Sequence, residues 1–155
     1  MMGDGILRES LRQRVERHNL RGFIFLPYQQ YFLMGQAYAA SDLCLVPQAI
    51  ETGFDAVPSK VYRIMACGRP ILAVTDKNSD LARLVRASSC GIVVSPGSAG
   101  ALAEMIMRAY QNQQEWRNMG MNGREHVVRH YARETITDQY HELIRKLVFK
   151  AGNSK

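Results

Sequence analysis

The sequence predicts an α/β chain: short buried strands alternate with helices to build a parallel sheet, and a helical segment follows. Three observations predict it. Short apolar runs recur at Gly22–Pro27, Asp42–Pro47, Ile71–Val74 and Gly91–Val94, each bounded by Pro, Gly or Ser within a few residues. Stretches of helical length and helical apolar spacing separate them. From residue 98 the apolar residues keep helical spacing and no strand pattern returns. Strands alternating with helices of this length indicate parallel βα units.

Taken in order, Leu7, Leu11 and Val15 mark a first helix with a polar face, ending near Asn19. Gly22–Pro27 reads as a short strand stopped by proline, which cannot donate to a ladder. Residues 30–40 form a second helix, and Asp42–Pro47 a second buried strand. The loop 47–58 carries Glu51, Gly53, Phe54 and Asp55.

The stretch 57–74, VPSKVYRIMACGRPILAV, is the densest in local signals. Pro58 holds the incoming chain extended, and Ser59 is an N-cap candidate whose hydroxyl can accept from first-turn amides. Val61, Ile64, Met65 and Gly68 fall on one helical stripe, the spacing of a face packed on a sheet. Gly68 can take the left-handed conformation that closes a helix, and Pro70 cannot continue it. Ile71–Val74 is an unbroken apolar run, suited to a strand covered on both faces. The start of this helix offers free N–H groups and a favourable dipole to an anion, and Lys60 adds a full positive charge.

Residues 78–88 continue as a helix with Leu81, Leu84 and Val85 inward, and Gly91–Val94 as a strand ending at Ser95-Pro96-Gly97. Helical spacing then links Leu102, Met105, Ile106 and Ala109, next Trp116 and Met119, and last Ile136, Tyr140, Leu143, Ile144 and Leu147. The expected organisation is one domain over 1–149, with βα units over 1–97 and a helical end over 98–149. A polar tail covers 150–155.

Composition narrows the class. A chain of 155 residues with 46% hydrophobic content has the size of a single globular domain. No run approaches the roughly eighteen apolar residues of a membrane span, and Met1–Gly5 lacks the regions of a signal peptide. The expected location is cytoplasmic. Cys44, Cys67 and Cys90 are odd in number and lack metal-ligand spacing, so they read as reduced buried thiols, and no metal site is expected. The net charge of +6 comes from arginines scattered along helices. Solvated helix faces explain it first, and an anionic membrane surface or ligand second. Nucleic acid is not expected, because no aromatic-basic interleaving is present. His18, His126, His130 and His141 sit on polar helix faces, and Met105, Met107, Met119 and Met121 read as core filler or surface. Glu51 reads as a solvated loop carboxylate.

The order of these features resembles the carboxy-terminal, donor-binding domain of family 4 retaining glycosyltransferases, which have the two-domain GT-B fold with a Rossmann-like sheet. Gly3-Asp4-Gly5 resembles the glycine turn after that domain's second strand. Ser41–Pro47 resembles its "aDv-l-lPS" strand and Met65–Ala73 its "MAxGxPVia" segment. Cys90–Gly97 is similar to "G-lv-pgd", and Met119 through Tyr131 to the "mg--ar--v---f" helix. Each piece is weak alone; the joint order and spacing over nearly the whole chain make the resemblance specific.

The resemblance implies a nucleoside-diphosphate sugar as donor, either a UDP-sugar or a GDP-sugar, no cofactor and no metal. It implies donor-binding residues Gly53, Phe54, Asp55, Ala56, Val57, Pro58, Ser59, Lys60 and Arg63, and a nucleotide-base region at Leu26, Pro27 and Tyr28. By periodicity alone, residues 53–63 read as an ordinary connection, and the resemblance turns them into a donor loop. Asp55 and Arg63 stand where the family usually has two glutamates. Asp55 still accepts from sugar hydroxyls, whereas Arg63 has no acceptor and can serve only as a donor.

The family's first strand, its phosphate-gripping glycine turn and its amino-terminal acceptor domain have no counterpart before Gly3, so the chain is expected to act with an acceptor domain it does not carry. Transfer is then to an acceptor hydroxyl with retention, in cell-surface polysaccharide synthesis, with peripheral contact to an anionic membrane. The alternatives are a non-catalytic truncated remnant or a nucleotide-sugar-binding module. A GT-B sugar-nucleotide epimerase ranks below both, since no histidine-rich site is visible. Alone, the chain is expected not to transfer sugar and to be poorly stable.

Overall fold

The computed structural model describes residues 1–48 and 56–152, with side chains to 149. The described elements are α1 (Arg8–Arg17), a 3-10 turn (Tyr31–Leu33), α2 (Met34–Ala39), β1 (Cys44–Pro47), α3 (Lys60–Ala66), β2 (Ile71–Val74), α4 (Asp80–Ala87), β3 (Gly91–Val94), α5 (Ala99–Gln111), α6 (Gln113–Tyr131) and α7 (Arg133–Gly152). Two compact units divide the chain, Met1–Ala37 and Tyr38–Lys155.

In the first unit, α1 is a polar helix with no buried residue. It closes at Asn19, whose φ of 50° suits a side chain tolerant of left-handed backbone. The expected strand at 22–27 is reduced to a single parallel bridge between Met2 and Leu26. The Leu26 N–H donates to the Met1 carbonyl at 2.8 Å and the Gly3 N–H to the Leu26 carbonyl at 3.1 Å. A ladder grows only where a partner strand runs alongside, and the segment pairing here is Met1–Gly3.

In the second unit, β1, β2 and β3 form a parallel sheet in that order. Cys44 is in register with Ile71 and Ile71 with Gly91. Alternate residues of a strand point to opposite faces, and both faces are covered by helices. On one, Cys44, Val46, Ile71 and Ala73 pack with Val61, Ile64 and Met65 of α3, Leu81, Leu84 and Val85 of α4, and Val127 of α6. On the other, Leu72 and Val94 pack with Trp116 and with Leu102, Met105 and Ala109 of α5. Central β2 is buried on both sides, as its unbroken apolar run predicts. β1 departs from the expectation of a fully buried strand. Cys44 and Val46 are buried, but Leu45 is 47% exposed. β1 lies at the edge of the sheet, and the α5 layer packs over β2 and β3.

Helix α3 buries Val61, Ile64 and Met65, the stripe its spacing predicts. Gly68 has φ +65°. The Gly68 N–H donates to the Met65 carbonyl at 2.8 Å and the Arg69 N–H to the Ile64 carbonyl at 3.2 Å. This paired closure is the Schellman arrangement, which satisfies the last carbonyls of the helix. Arg124 of α6 adds a hydrogen bond from Nη1 to the Ala66 carbonyl at 3.2 Å. Along α7, Tyr140, Leu143, Ile144 and Leu147 are all more than half exposed, and the helix runs past residue 150 to Gly152.

Candidate functional site

The carboxyl ends of β1 and β2 point toward the amino-terminal starts of α3 and α4. In open parallel sheets this edge is where ligands bind, because helix N–H groups and loops converge there. Three polar side chains knit it together. Gln48, directly after β1, donates from its backbone N–H to the Val74 carbonyl at 2.9 Å. Its side-chain Nε2 donates to the Ala56 carbonyl at 3.0 Å. The Thr75 hydroxyl, directly after β2, donates to Gln48 Oε1 at 2.9 Å. Thr75 Oγ1 also lies 2.9 Å from Ser79 Oγ, whose proton it can accept. Ser79 Oγ in turn accepts from the Ala82 N–H at 3.1 Å. A continuous polar relay therefore joins the residue that leads into α3 to the first turn of α4, and Thr75 and Ser79 within it are buried.

The two helix starts differ in a way the sequence analysis does not foresee. Ser59 occupies the N-cap position of α3 but makes no cap hydrogen bond. Its backbone is already helical, at φ −56° and ψ −27°, whereas a capping side chain reaches the first-turn amides from an extended backbone. The Val61 N–H is taken instead by the Pro58 carbonyl at 2.9 Å. Ser79 is the working cap, extended at φ −65° and ψ 158°.

Of the residues expected to bind the donor, Ala56, Val57, Pro58, Ser59, Lys60 and Arg63 lie together on the approach to α3 and along it. Gly53, Phe54 and Asp55 lie outside the described residues. Lys60 is the first helical residue and half-buried, and Arg63 follows one turn later, exposed. The first turn of α3 carries no acidic side chain, while that of α4 carries Asp80. A lysine at the positive end of a helix dipole opposes the local electrostatics. That conflict is the kind expected where an anion is to be held.

Leu26, Pro27 and Tyr28 belong to the first unit. There the Tyr28 N–H donates to Asp4 Oδ2 at 2.8 Å, and Asp4 also pairs with Arg8. The Tyr28 ring is largely exposed.

The cysteines take no part. Burial pushes the thiols of Cys44 and Cys90 above the ordinary cysteine value, keeping them protonated and unreactive. Among the described residues no cluster of three or more His, Cys, Asp or Glu is arranged to hold a metal ion, and no helix is long and apolar enough to cross a membrane.

Gln48, Thr75 and Ser79 are the members of this site that sequence reasoning misses. A signal was present: Gln48 and Thr75 each follow an apolar strand directly, the position that projects onto the ligand edge of a parallel sheet. Asn78-Ser79-Asp80 likewise carries a cap serine followed by a first-turn acid.

Fold and edge together define a Rossmann-like α/β protein with its polar residues gathered at the carboxyl ends of the strands. The family of glycosyl transferases group 1 matches residues 1–112, and the chain belongs to it. It is similar to the probable glycosyltransferase WbjE of Pseudomonas aeruginosa, 34% identical over 110 residues that span 68% of this chain and 26% of that protein. It is also similar to the exopolysaccharide phosphotransferase SCO2592 of Streptomyces coelicolor, 28% identical over 157 residues, 100% of this chain and 16% of that protein.

Among solved structures, sucrose-phosphate synthase from Thermosynechococcus elongatus superimposes with a TM-score of 0.78 at 28% identity, covering 94% of this chain and 35% of that one. Anabaena HepE in complex with UDP-glucose gives 0.73 at 24% identity, covering 94% of this chain and 40% of that one, a likeness of fold. The chain thus spans 26% and 16% of the lengths of the two curated relatives.

Proposed function

We propose that this chain is the donor-binding half of a retaining glycosyltransferase of cell-surface polysaccharide synthesis, completed by an acceptor-binding half from outside these 155 residues. The observation that carries the reading is Lys60 on an acid-free helix start, reached through a stretch whose first described residue, Ala56, accepts a hydrogen bond from Gln48 at the ligand edge of the sheet. Family membership and the complex of HepE with UDP-glucose support a nucleoside-diphosphate sugar as the donor.

In this proposal the diphosphate lies beside the chain from Ala56 to Ser59, contacted by backbone amides and Lys60. Arg63 meets phosphate or the ribose edge as a donor. Gly53, Phe54 and Asp55 supply the sugar side of the loop. The leaving diphosphate gathers negative charge as the glycosyl bond breaks. Fixed N–H dipoles and cationic side chains stabilise that charge without a metal, more strongly in the transition state than in the ground state. Sugar transfer additionally needs an acceptor hydroxyl positioned on the other side of the donor, which is the task assigned to the acceptor-binding half.

The test is a titration of UDP and of GDP against the wild type, Lys60→Ala and Arg63→Glu, with thermal unfolding in parallel. Lys60→Ala should weaken binding about tenfold, the loss of one charge-assisted contact of about 1.4 kcal/mol. Arg63→Glu should weaken it further with little change in melting, since both residues form helix readily. Affinity equal to wild type in Lys60→Ala removes Lys60 from the site. A lower melting point with unchanged binding in Arg63→Glu makes that arginine structural.

A further inference from the structure

We propose a metal site on α6, where His126 and His130 together chelate a late first-row divalent cation of the Ni²⁺ or Cu²⁺ kind. The two stand four positions apart, so one turn of the helix puts both on the same face. Their ring centres lie 4.6 Å apart, with the ring planes tilted by 47°. Both line an open cavity of about 340 Å³ beside the Ala87–Ser89 turn, so a dissolved ion has access to them.

The spacing selects the ion. An imidazole nitrogen binds such a cation at about 2.0–2.1 Å, which puts the ion about 3.2 Å from the ring centre. Two rings set at a right angle about the ion then stand about 4.5 Å apart, and at the tetrahedral angle about 5.2 Å apart. The observed 4.6 Å fits the right angle, that of neighbouring positions in the square-planar or tetragonal shells of Cu²⁺ and Ni²⁺. His130 is exposed and the χ2 torsion of histidine is broad, so its ring turns to meet an ion held by His126. Water takes the remaining positions.

The backbone beneath the pair is already fixed. Gly123 and Val127, on either side of His126 in sequence, are buried, and Val127 belongs to the core cluster with Met65 and Cys90. A Cβ on Gly123 would lie 2.8 Å from the Cys90 Cβ, so α6 sits directly on the core at this turn. Ligands on a pre-set turn give up little freedom on binding. Charge does not oppose the cation either. Glu125 and Arg129 on the same lining pair with each other, and imidazole binds metal in its neutral form.

The site is separate from the proposed donor edge. It adjoins Ser88 and Ser89, which precede β3, whereas Gln48 and Thr75 follow β1 and β2. A chelated ion clips one turn of α6, the helix that packs on α3, and stabilises the folded chain in proportion to its occupancy.

The test uses the full chain with NiCl₂ as the probe and MgCl₂ as the control, in calorimetric titration and thermal unfolding. The expected result is saturable binding of Ni²⁺. With free Ni²⁺ at about a hundred times the dissociation constant, the melting temperature should rise by about 5–10 °C, and EDTA should reverse the rise. Removing a partner of a metal ligand costs about 10–100-fold in affinity, so removing a ligand itself, in His126→Gln or His130→Gln, should cost at least as much. His130→Gln alters an exposed residue, so the test stands even if His126→Gln fails to fold. His18→Gln and His141→Gln, at the two other histidines of the chain, should bind as wild type. Absence of saturable Ni²⁺ binding overturns the proposal. So does a response that MgCl₂ reproduces, or one that persists in His130→Gln, as for ions held adventitiously by other groups.

Discussion

Replacing Gln48 by alanine cuts the link between two strand ends and the chain entering α3. Among the described residues the Gln48 side chain bonds to the Ala56 carbonyl at 3.0 Å and accepts from the Thr75 hydroxyl at 2.9 Å. Each is worth about 0.5–1.5 kcal/mol net, with a surcharge for any group left buried and unpaired. Thr75 is 1% exposed but keeps Ser79 as a partner at 2.9 Å, so it is not orphaned. The backbone bond from Gln48 to Val74 survives the substitution. Loss of these two bonds destabilises by about 1–3 kcal/mol.

Urea unfolding followed by circular dichroism measures it, and the midpoint should fall with the slope unchanged, because the surface exposed on unfolding is the same. UDP affinity should fall as well, since Ala56, at the start of the proposed diphosphate-binding stretch, loses the side-chain contact to its carbonyl. Gln48→Glu sharpens the test. It still accepts from Thr75 but turns a carboxylate toward the Ala56 carbonyl, so it should lose at least as much stability at neutral pH and recover part of it on acidification. A Gln48→Ala protein within about 0.5 kcal/mol of wild type, the range of an ordinary surface change, and binding UDP unchanged would refute the relay.

Gly120→Ala in α6 should destabilise despite better helix propensity, because the added Cβ would sit 2.2 Å from the Gly68 carbonyl oxygen. Overpacking against backbone costs about 1–3 kcal/mol and outweighs the gain of about 1 kcal/mol in propensity. Gly100→Ala, with nothing within 4 Å, should instead stabilise by up to about 1 kcal/mol. Shifts of the same sign in thermal unfolding of the two variants would contradict the packing. The pKa of His126 is lowered by burial first and then by His130 and Arg129, with the two histidine rings 4.6 Å apart. The unfolded chain therefore binds this proton first. The resulting loss of stability is absent above the ordinary histidine value of about 6.5 and develops as pH falls below it. His126→Gln should flatten that part of the stability–pH curve, and an unaltered curve would assign the slope elsewhere. Residues 1–155 alone should bind UDP without turning over nucleotide sugars, and measured transfer by this chain would sink the need for a separate acceptor-binding half.

Much of this molecule was written locally. The stripe Val61, Ile64 and Met65, the left-handed Gly68, the Pro70 stop and the doubly buried Ile71–Ala73 run all follow from residue spacing and backbone preference within a dozen positions. That is why α3 and β2 were legible before any partner was known. The alternation of strands and helices set the parallel βα order for the same reason. What sequence alone left undecided depends on neighbours distant along the chain. Leu45 is exposed because β1 is an edge strand, and Gly22–Pro27 is reduced to one bridge, between Leu26 and Met2. Ser59 fails as a cap while Ser79 succeeds, although both are serines at helix starts, because the approaching backbone is helical at one and extended at the other. The Gln48–Thr75–Ser79 relay depends on Gln48 and Thr75 meeting across 27 positions of sequence. Periodicity encodes which face of an element turns inward, but it carries no information about which polar atoms then meet; that is settled when the sheet register and helix docking bring them within 3 Å of one another.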